Sequence, residues 1–162
     1  MARVQLHDIV TEADKAAVLK LERGPGQDRY LGSMDSHFED AIADAIACPR
    51  YWSVHDGDQL VGFVMISDDI PAETLAANDD IVGPYFLWRL LIDAQQQGHG
   101  YGAAAVRLLA DQVRAEGAAE LLVSYVPGEG DPEGFYRRLG FEPTGDLDPS
   151  GEVIMRLTLP PA

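Results

Sequence analysis

The sequence predicts an α/β (α+β) protein with a mixed central sheet of about six to seven strands flanked by about four helices. Three observations carry this expectation. Alternating apolar runs on either side of "DGD" (56–58) mark a hairpin in the first half of the chain. The amphipathic run "AAAVRLLADQV" (103–113) follows a glycine-rich break and marks a helix. Around these two, strand-like and helix-like segments alternate, as a sheet with helices on its faces requires. No internal repeat, low-complexity tract or linker interrupts the chain, so one domain spanning 1–162 is expected.

Taken in order, "VQLHDIV" (4–10) reads as the first strand. Thr11 is placed as the N-cap of a helix running through about Glu22, with Asp14 in its first turn, and "RGPG" (23–26) breaks it. A second helix is expected from Ser36 to Cys48, with Phe38, Ile42, Ala45 and Ile46 on one face and Pro49 just beyond its end. "YWSVH" (51–55) and "QLVGFVMIS" (59–67) are the hairpin arms. "DDIPAETLAANDD" (68–80) reads as a polar loop, and "IVGPYFLWRLLID" (81–93) as a long strand apolar enough to be buried on both faces. In the helix after the glycines, Val106, Leu109, Ala110 and Val113 recur at helical spacing, and Gly117 ends it. "ELLVSYV" (120–126) is a strand, "PGEGDPEG" (127–134) a loop, and "FYRRLG" (135–140) a short helix closed by Gly140. "FEPTGD" (141–146) and "EVIMRLTL" (152–159) are the last two strands.

Composition narrows the function classes. Hydrophobic residues at 46% and charged residues at 24% are globular values, which argues against a disordered chain. No apolar run approaches the roughly 20 residues needed to span a bilayer, and "MARVQLHDIV" lacks a signal-peptide pattern. The single Cys48 cannot form an internal disulfide, and no Cys/His cluster points to a metal. A soluble cytoplasmic protein without metal or membrane partner is expected. The net charge of −15, from 27 acidic against 12 basic residues, repels nucleic acid and anionic membranes. It permits a cationic ligand without demonstrating one.

The stretch "QGHGYG" (97–102) sits between the long strand and the amphipathic helix, with Gly98, Gly100 and Gly102 at alternate positions. The first amides of a helix lack internal partners, and the macrodipole adds partial positive charge there. Glycines let an anion reach those amides without Cβ atoms in the way, so a diphosphate is the natural guest. There is no G-x-x-x-x-G-K-[ST] P-loop. The G-x-G-x-G spacing, late in the chain and after a hairpin, also departs from the dinucleotide fingerprint.

At these residues the sequence resembles the GNAT family of acyl-CoA N-acyltransferases. Gln97, Gly100 and Gly102 match the family signature of Gln or Arg, two residues, Gly, one residue, then Gly or Ala. "FYRRLGF" (135–141) is similar to the family's aromatic-Tyr-x-x-x-Gly-Phe segment, and the expected element order matches the GNAT fold over nearly the whole chain. The resemblance implies acetyl-CoA as donor, with its pyrophosphate on the amides of Gly98 to Ala103. Gln97 would add a side-chain contact, while His99 and Tyr101 would contribute backbone. It implies that the preceding strand, at Leu90, Leu91 and Ile92, bonds the pantetheine arm and the acyl carbonyl. It further implies that Tyr136 protonates the departing thiolate as general acid. One departure is that "PGEGD" (127–131) holds no Asn, where many relatives carry one that contacts CoA.

The acceptor is less legible. An alkyl amine with a pKa of about 10 must lose a proton before or during attack. No cysteine or Ser-His arrangement suggests a covalent intermediate, so direct attack in a ternary complex is the simplest route. Glu152, at the start of the last strand, is the candidate base or acceptor contact. Asp35, Glu39 and Asp40 form an acidic cluster, and Asp68, Asp69, Asp79 and Asp80 flank the central loop. Trp52 and Trp88 are candidates to hold a cation over a ring.

"WRLLID…QGHGYG" (88–102), Gln27 and "GEVIMRLTL" look like the bacterial spermine/spermidine acetyltransferase branch of the family. A small-molecule amine, with a polyamine or diamine leading, is therefore the expected acceptor. An amino acid, an aminoglycoside, a protein amine, or a non-catalytic acetyl-CoA sensor stay open as alternatives. GNAT relatives are often dimers, so the resemblance leaves a homodimer open as well.

Overall fold

Thr11 opens the first helix as expected. Its hydroxyl accepts a hydrogen bond from the Asp14 amide at 3.0 Å, and the Asp14 carboxylate accepts one from the Thr11 amide at 3.1 Å. The two bonds make a complete capping box for α1 (Glu12–Val18). The helix stops short of Glu22 because tertiary contacts draw the chain away. The Glu22 amide donates to Asp93 Oδ1 and its carbonyl accepts from the Ala94 amide, both at 2.8 Å. The computed structural model describes residues 3–22 and 45–161. The helix expected from Ser36 to Cys48 lies largely outside them. Its described remainder is a single 3-10 turn, Ala45–Ala47, and Cys48 stands beyond it with a φ of 51°.

Seven strands form one sheet: β1 (Val4–Asp8), β2 (Pro49–Asp56), β3 (Gln59–Ser67), β4 (Phe86–Ile92), β5 (Glu120–Tyr125), β6 (Glu142–Leu147) and β7 (Val153–Thr158). Their order is β1-β2-β3-β4-β5-β7-β6, antiparallel throughout except for the parallel β4–β5 pair. The β2–β3 hairpin turns at Gly57 and Asp58, where the Asp-Gly signal places it. Strand β3 sorts its side chains by parity. Phe63 and Met65 pack with Val18 and Leu91 on one face, while Val64 and Ile66 join the larger core on the other.

The segment read as a polar loop carries a short helix, α2 (Ala72–Ala77), which buries none of its own residues and so left no apolar periodicity to find. Helix α3 (Tyr101–Ala115) buries Ala105, Val106, Leu109, Ala110 and Val113 against the sheet. It closes in a Schellman motif, with Gly117 N bonded to Arg114 O at 3.0 Å and Ala118 N to Val113 O at 2.9 Å. Helix α4 (Glu133–Arg138) ends the same way at Gly140 and Phe141.

Strand β4 corrects the sequence reading. It begins at Phe86 rather than 81, and only Leu87 and Leu91 within it are buried. Trp88 is an extra residue in the β3–β4 ladder, between Leu87 opposite Ile66 and Arg89 opposite Met65. Beyond this bulge the sheet opens, so the strand has solvent-accessible space where a second buried face was expected.

Candidate active site

The parallel register between β4 and β5 holds at just two positions, Phe86 with Leu122 and Leu87 with Val123. On its other side β4 stays paired with β3 as far as Ile92, and β5 stays paired with β7 as far as Tyr125. The two central strands therefore part in the middle of the sheet. The inward-facing backbone groups of β4 beyond Leu87 meet a gap instead of a neighbour. A cleft of about 970 Å³ fills that gap, lined by Leu90 and Ile92 of β4, Ser124 and Tyr125 of β5, the start of α3, and Tyr136 of α4.

The glycine stretch forms one wall. Gly98 and Gly100 have φ values of +84° and +78°, a left-handed conformation that L side chains rarely adopt. A Cβ on either would meet no atom within 4 Å, so the ground above them is open. Gly100 is the N-cap of α3 and supplies no capping side chain. The first α3 bond outside the regular ladder, Ala104 N to Gly100 O at 3.1 Å, leaves the amides of Tyr101, Gly102 and Ala103 ahead of it. Uncapped amides, open space and a fifteen-residue helix dipole suit a diphosphate.

The other residues singled out from the sequence divide. Gln97 lines the cleft, and its side-chain amide donates to the Ile92 carbonyl at 3.1 Å, bracing the strand end. His99 lies outside the lining. Its Nδ1 stands 3.1 Å from the Gln96 carbonyl, which can only accept, and its ring stacks on Tyr101 at 5.6 Å. The Tyr101 side chain turns into the core. Leu90 and Ile92 reach the cleft, but the Leu91 side chain is fully buried with Val18, Phe63 and Met65. Trp88 lines the cleft, with the Arg89 guanidinium 5.5 Å from its ring centre. Trp52 does not; it is a core residue beneath Arg50. Asp80 lines the cleft, whereas Asp68 is paired with Arg50 at 3.2 Å. Asp35, Glu39 and Asp40 fall outside the described residues.

Tyr136 projects from α4 into the same cleft. It is 9% exposed and packs edge-on against Phe135 and Phe141, at ring distances of 5.2 and 5.4 Å. Burial pushes its pKa up to about 12, so the hydroxyl keeps its proton throughout the neutral range.

Glu152 lines the cleft between two hydroxyls. Ser124 Oγ donates to its Oε1 at 3.3 Å, while Ser150 Oγ, 3.3 Å from its Oε2, commits its single proton to Asp148. Asp148 holds this turn together: its Oδ1 accepts from Ser150 N at 2.9 Å, Ser150 Oγ at 2.7 Å and Glu152 N at 2.9 Å. Burial works against ionising Asp148, but the bonds from Ser150 and Glu152 outweigh it and hold its pKa below the usual carboxylate value. Sequence reasoning missed Ser124, Asp148 and Ser150. The Asp-x-Ser spacing of "DPSGE" (148–152) is an Asx-turn signal, while nothing local marks Ser124.

Comparison with known proteins agrees with this architecture. A family model described as "Acetyltransferase (GNAT) family" matches residues 16–141. A spermine/spermidine N(1)-acetyltransferase of Bacillus subtilis is 30% identical over 153 residues, covering 90% of this chain and 93% of that protein. Two solved structures share the fold. An aminoglycoside acetyltransferase in complex with coenzyme A superposes with a TM-score of 0.73 at 19% identity, covering 96% of this chain and 94% of its own. The ribosomal-protein-S18-alanine N-acetyltransferase of Escherichia coli does so at 0.65 and 16%, covering 98% and 96%.

Proposed function

Because the chain belongs to the acetyltransferase (GNAT) family, and is thus an N-acetyltransferase with acetyl-CoA as donor, we propose that its acceptor is a small polyamine or diamine. The observation that carries this reading is the Glu152 carboxylate, held by the Ser124 hydroxyl and, through its own amide, by Asp148, in the cleft that Tyr136 also enters. Asp148 and Asp80 bring the carboxylates in the lining to three, against two arginines, Arg89 and Arg138. A flexible polycation is drawn to such a cleft, and the net charge of −15 steers it there from a distance. The Bacillus relative, named for spermine and spermidine, supports the same class.

In this reading the amides at the start of α3 hold the diphosphate, and the gap-facing backbone of Leu90 to Ile92 aligns the acyl arm. A backbone N–H there, aimed at the acyl oxygen, favours the negative charge that builds on it during attack. Glu152 receives the acceptor ammonium and takes its proton directly or through water. Tyr136 donates toward the departing sulfur. A thiol of pKa about 8.5 is a stronger acid than a hydroxyl held near 12. Tyr136 therefore acts best by donating as charge develops on sulfur, with its proton replaced from the attacking amine.

The experiment is thiol release from acetyl-CoA across spermidine, spermine, lysine and an aminoglycoside. The polyamines are expected to give the highest kcat/KM. Turnover with a polyamine no faster than the hydrolysis background would remove the acceptor assignment.

A further inference from the structure

We propose that Tyr101 and Asp56 form a positioning pair, outside the chemistry itself, that sets the diphosphate cradle in place for the donor. Tyr101 is the first residue of α3, directly after the left-handed Gly100, so its Cα carries the first of the uncapped amides. The two left-handed glycines in the loop before it carry no side chains to hold it, and the bonds of Gln97 and His99 stay within the loop and the end of β4. The Tyr101 side chain adds a tie to a distant strand. It is 8% exposed, lies within the main core, and its hydroxyl donates to Asp56 Oδ2 at 2.6 Å, 45 residues away in sequence.

Asp56 is itself held by the chain leading into the neighbouring strand, β1. It ends β2, its Oδ1 accepts from the Arg3 amide at 2.9 Å, and the next amide, Gly57 N, donates to Arg3 O at 3.1 Å. The bond from Tyr101 holds the Asp56 carboxyl below its usual pKa, so the contact at neutral pH joins a hydroxyl to a carboxylate. Such bonds are shorter and stronger than neutral ones. The carboxylate sits at the outer end of the tyrosine ring, which keeps its negative charge a full side chain from the amides that would hold an anion. The first residue of the helix is thus tied through its own side chain to the end of β2, at the β2–β3 hairpin.

The inference rests on the donor reading and is tested apart from the acceptor, by titrating coenzyme A into wild type, Tyr101→Phe, Asp56→Ala and the double variant. Each single variant is expected to raise the Kd for coenzyme A about tenfold, the scale of one charge-assisted bond transmitted to binding. In turnover assays the KM for acetyl-CoA should rise while kcat stays within about twofold, as for a loss of uniform binding. The double variant should be no worse than either single one. Asp56→Asn, which keeps an acceptor for the hydroxyl, should recover most of the affinity. A lowered melting temperature with unchanged coenzyme A affinity in Tyr101→Phe would overturn the proposal, leaving a merely structural bond. Additive losses in the double variant would overturn it too. Wild-type protein that fails to bind coenzyme A would instead sink the donor reading beneath it.

Discussion

The Ser124 hydroxyl donates to the Glu152 carboxylate across the β5–β7 pair at 3.3 Å, fixing one oxygen of an acidic side chain that lines the cleft. An ionised carboxylate facing an ammonium is worth more than its neutral amide isostere. Glu152→Gln is therefore expected to lower kcat/KM for spermidine by about tenfold to a hundredfold, with the KM for acetyl-CoA nearly unchanged. Steady-state kinetics with the two substrates varied separately check this. Equal losses for donor and acceptor would mean that Glu152 shapes the fold rather than the acceptor site.

Tyr136 offers a separation of chemistry from packing. Tyr136→Phe keeps the edge-on contacts with Phe135 and Phe141 and removes only the hydroxyl. Its kcat should fall on the order of a hundredfold, the usual scale for a lost general acid, with coenzyme A affinity intact. Burial is the whole cause of the raised hydroxyl pKa, so the melting temperature should hold or rise. A kcat equal to wild type would end the acid assignment.

The glycines of the cradle should differ in tolerance. Gly100 sits at a φ of +78°, where a β-branched side chain is strained by about 1–3 kcal/mol. Gly100→Val is expected to abolish coenzyme A binding in calorimetry while the chain remains folded by circular dichroism. Gly102 lies in the helix, and a Cβ there would stand 3.4 Å from the Phe135 ring, close but not overlapping. Gly102→Ala should weaken binding far less. Equal affinities for both variants and wild type would reduce the stretch to a turn.

Stability should fall on mild acidification through His55. Burial, then the charge of His7 stacked 4.1 Å away, lowers its pKa below the ordinary 6.5; Asp14 and Asp58 act in the opposite sense. The folded state then binds fewer protons than the unfolded one below that value. The stabilising contribution is complete above about pH 6.5 and is lost as pH falls through the folded pKa. The melting temperature of wild type should drop more steeply from pH 7 to 5 than that of His55→Gln. Parallel curves would remove His55 as the cause.

Elements governed by neighbouring residues were legible in the chain. Thr11 caps α1 with Asp14, Asp-Gly turns the β2–β3 hairpin, and Gly117 and Gly140 close α3 and α4, because each depends on atoms a few residues apart. The positive φ of Gly98 and Gly100 before α3 was added by the structure; the sequence marked only a glycine-rich break there. Helix α1 was overextended because its end is set by Asp93, 71 residues from Glu22. Strand β4 was overextended because its apolar composition cannot reveal where its neighbour turns away.

The candidate site divides along the same line. The glycine stretch and the Tyr136 segment are each a short contiguous run, so the family resemblance, and the donor it implies, could be read from them. The rest of the cleft, where the acceptor is proposed to bind, is lined by Ser124 on β5, the Asp148–Glu152 turn before β7 and the residues that face the gap beside β4. These meet because β4 and β5 pair at two positions and then diverge, which depends on long-range strand pairing and a bulge at Trp88. Short-range stereochemistry was enough to place the glycine break and the helix that follows it; the opening of the sheet, and with it the grouping of serines and carboxylates, was decided by tertiary packing alone.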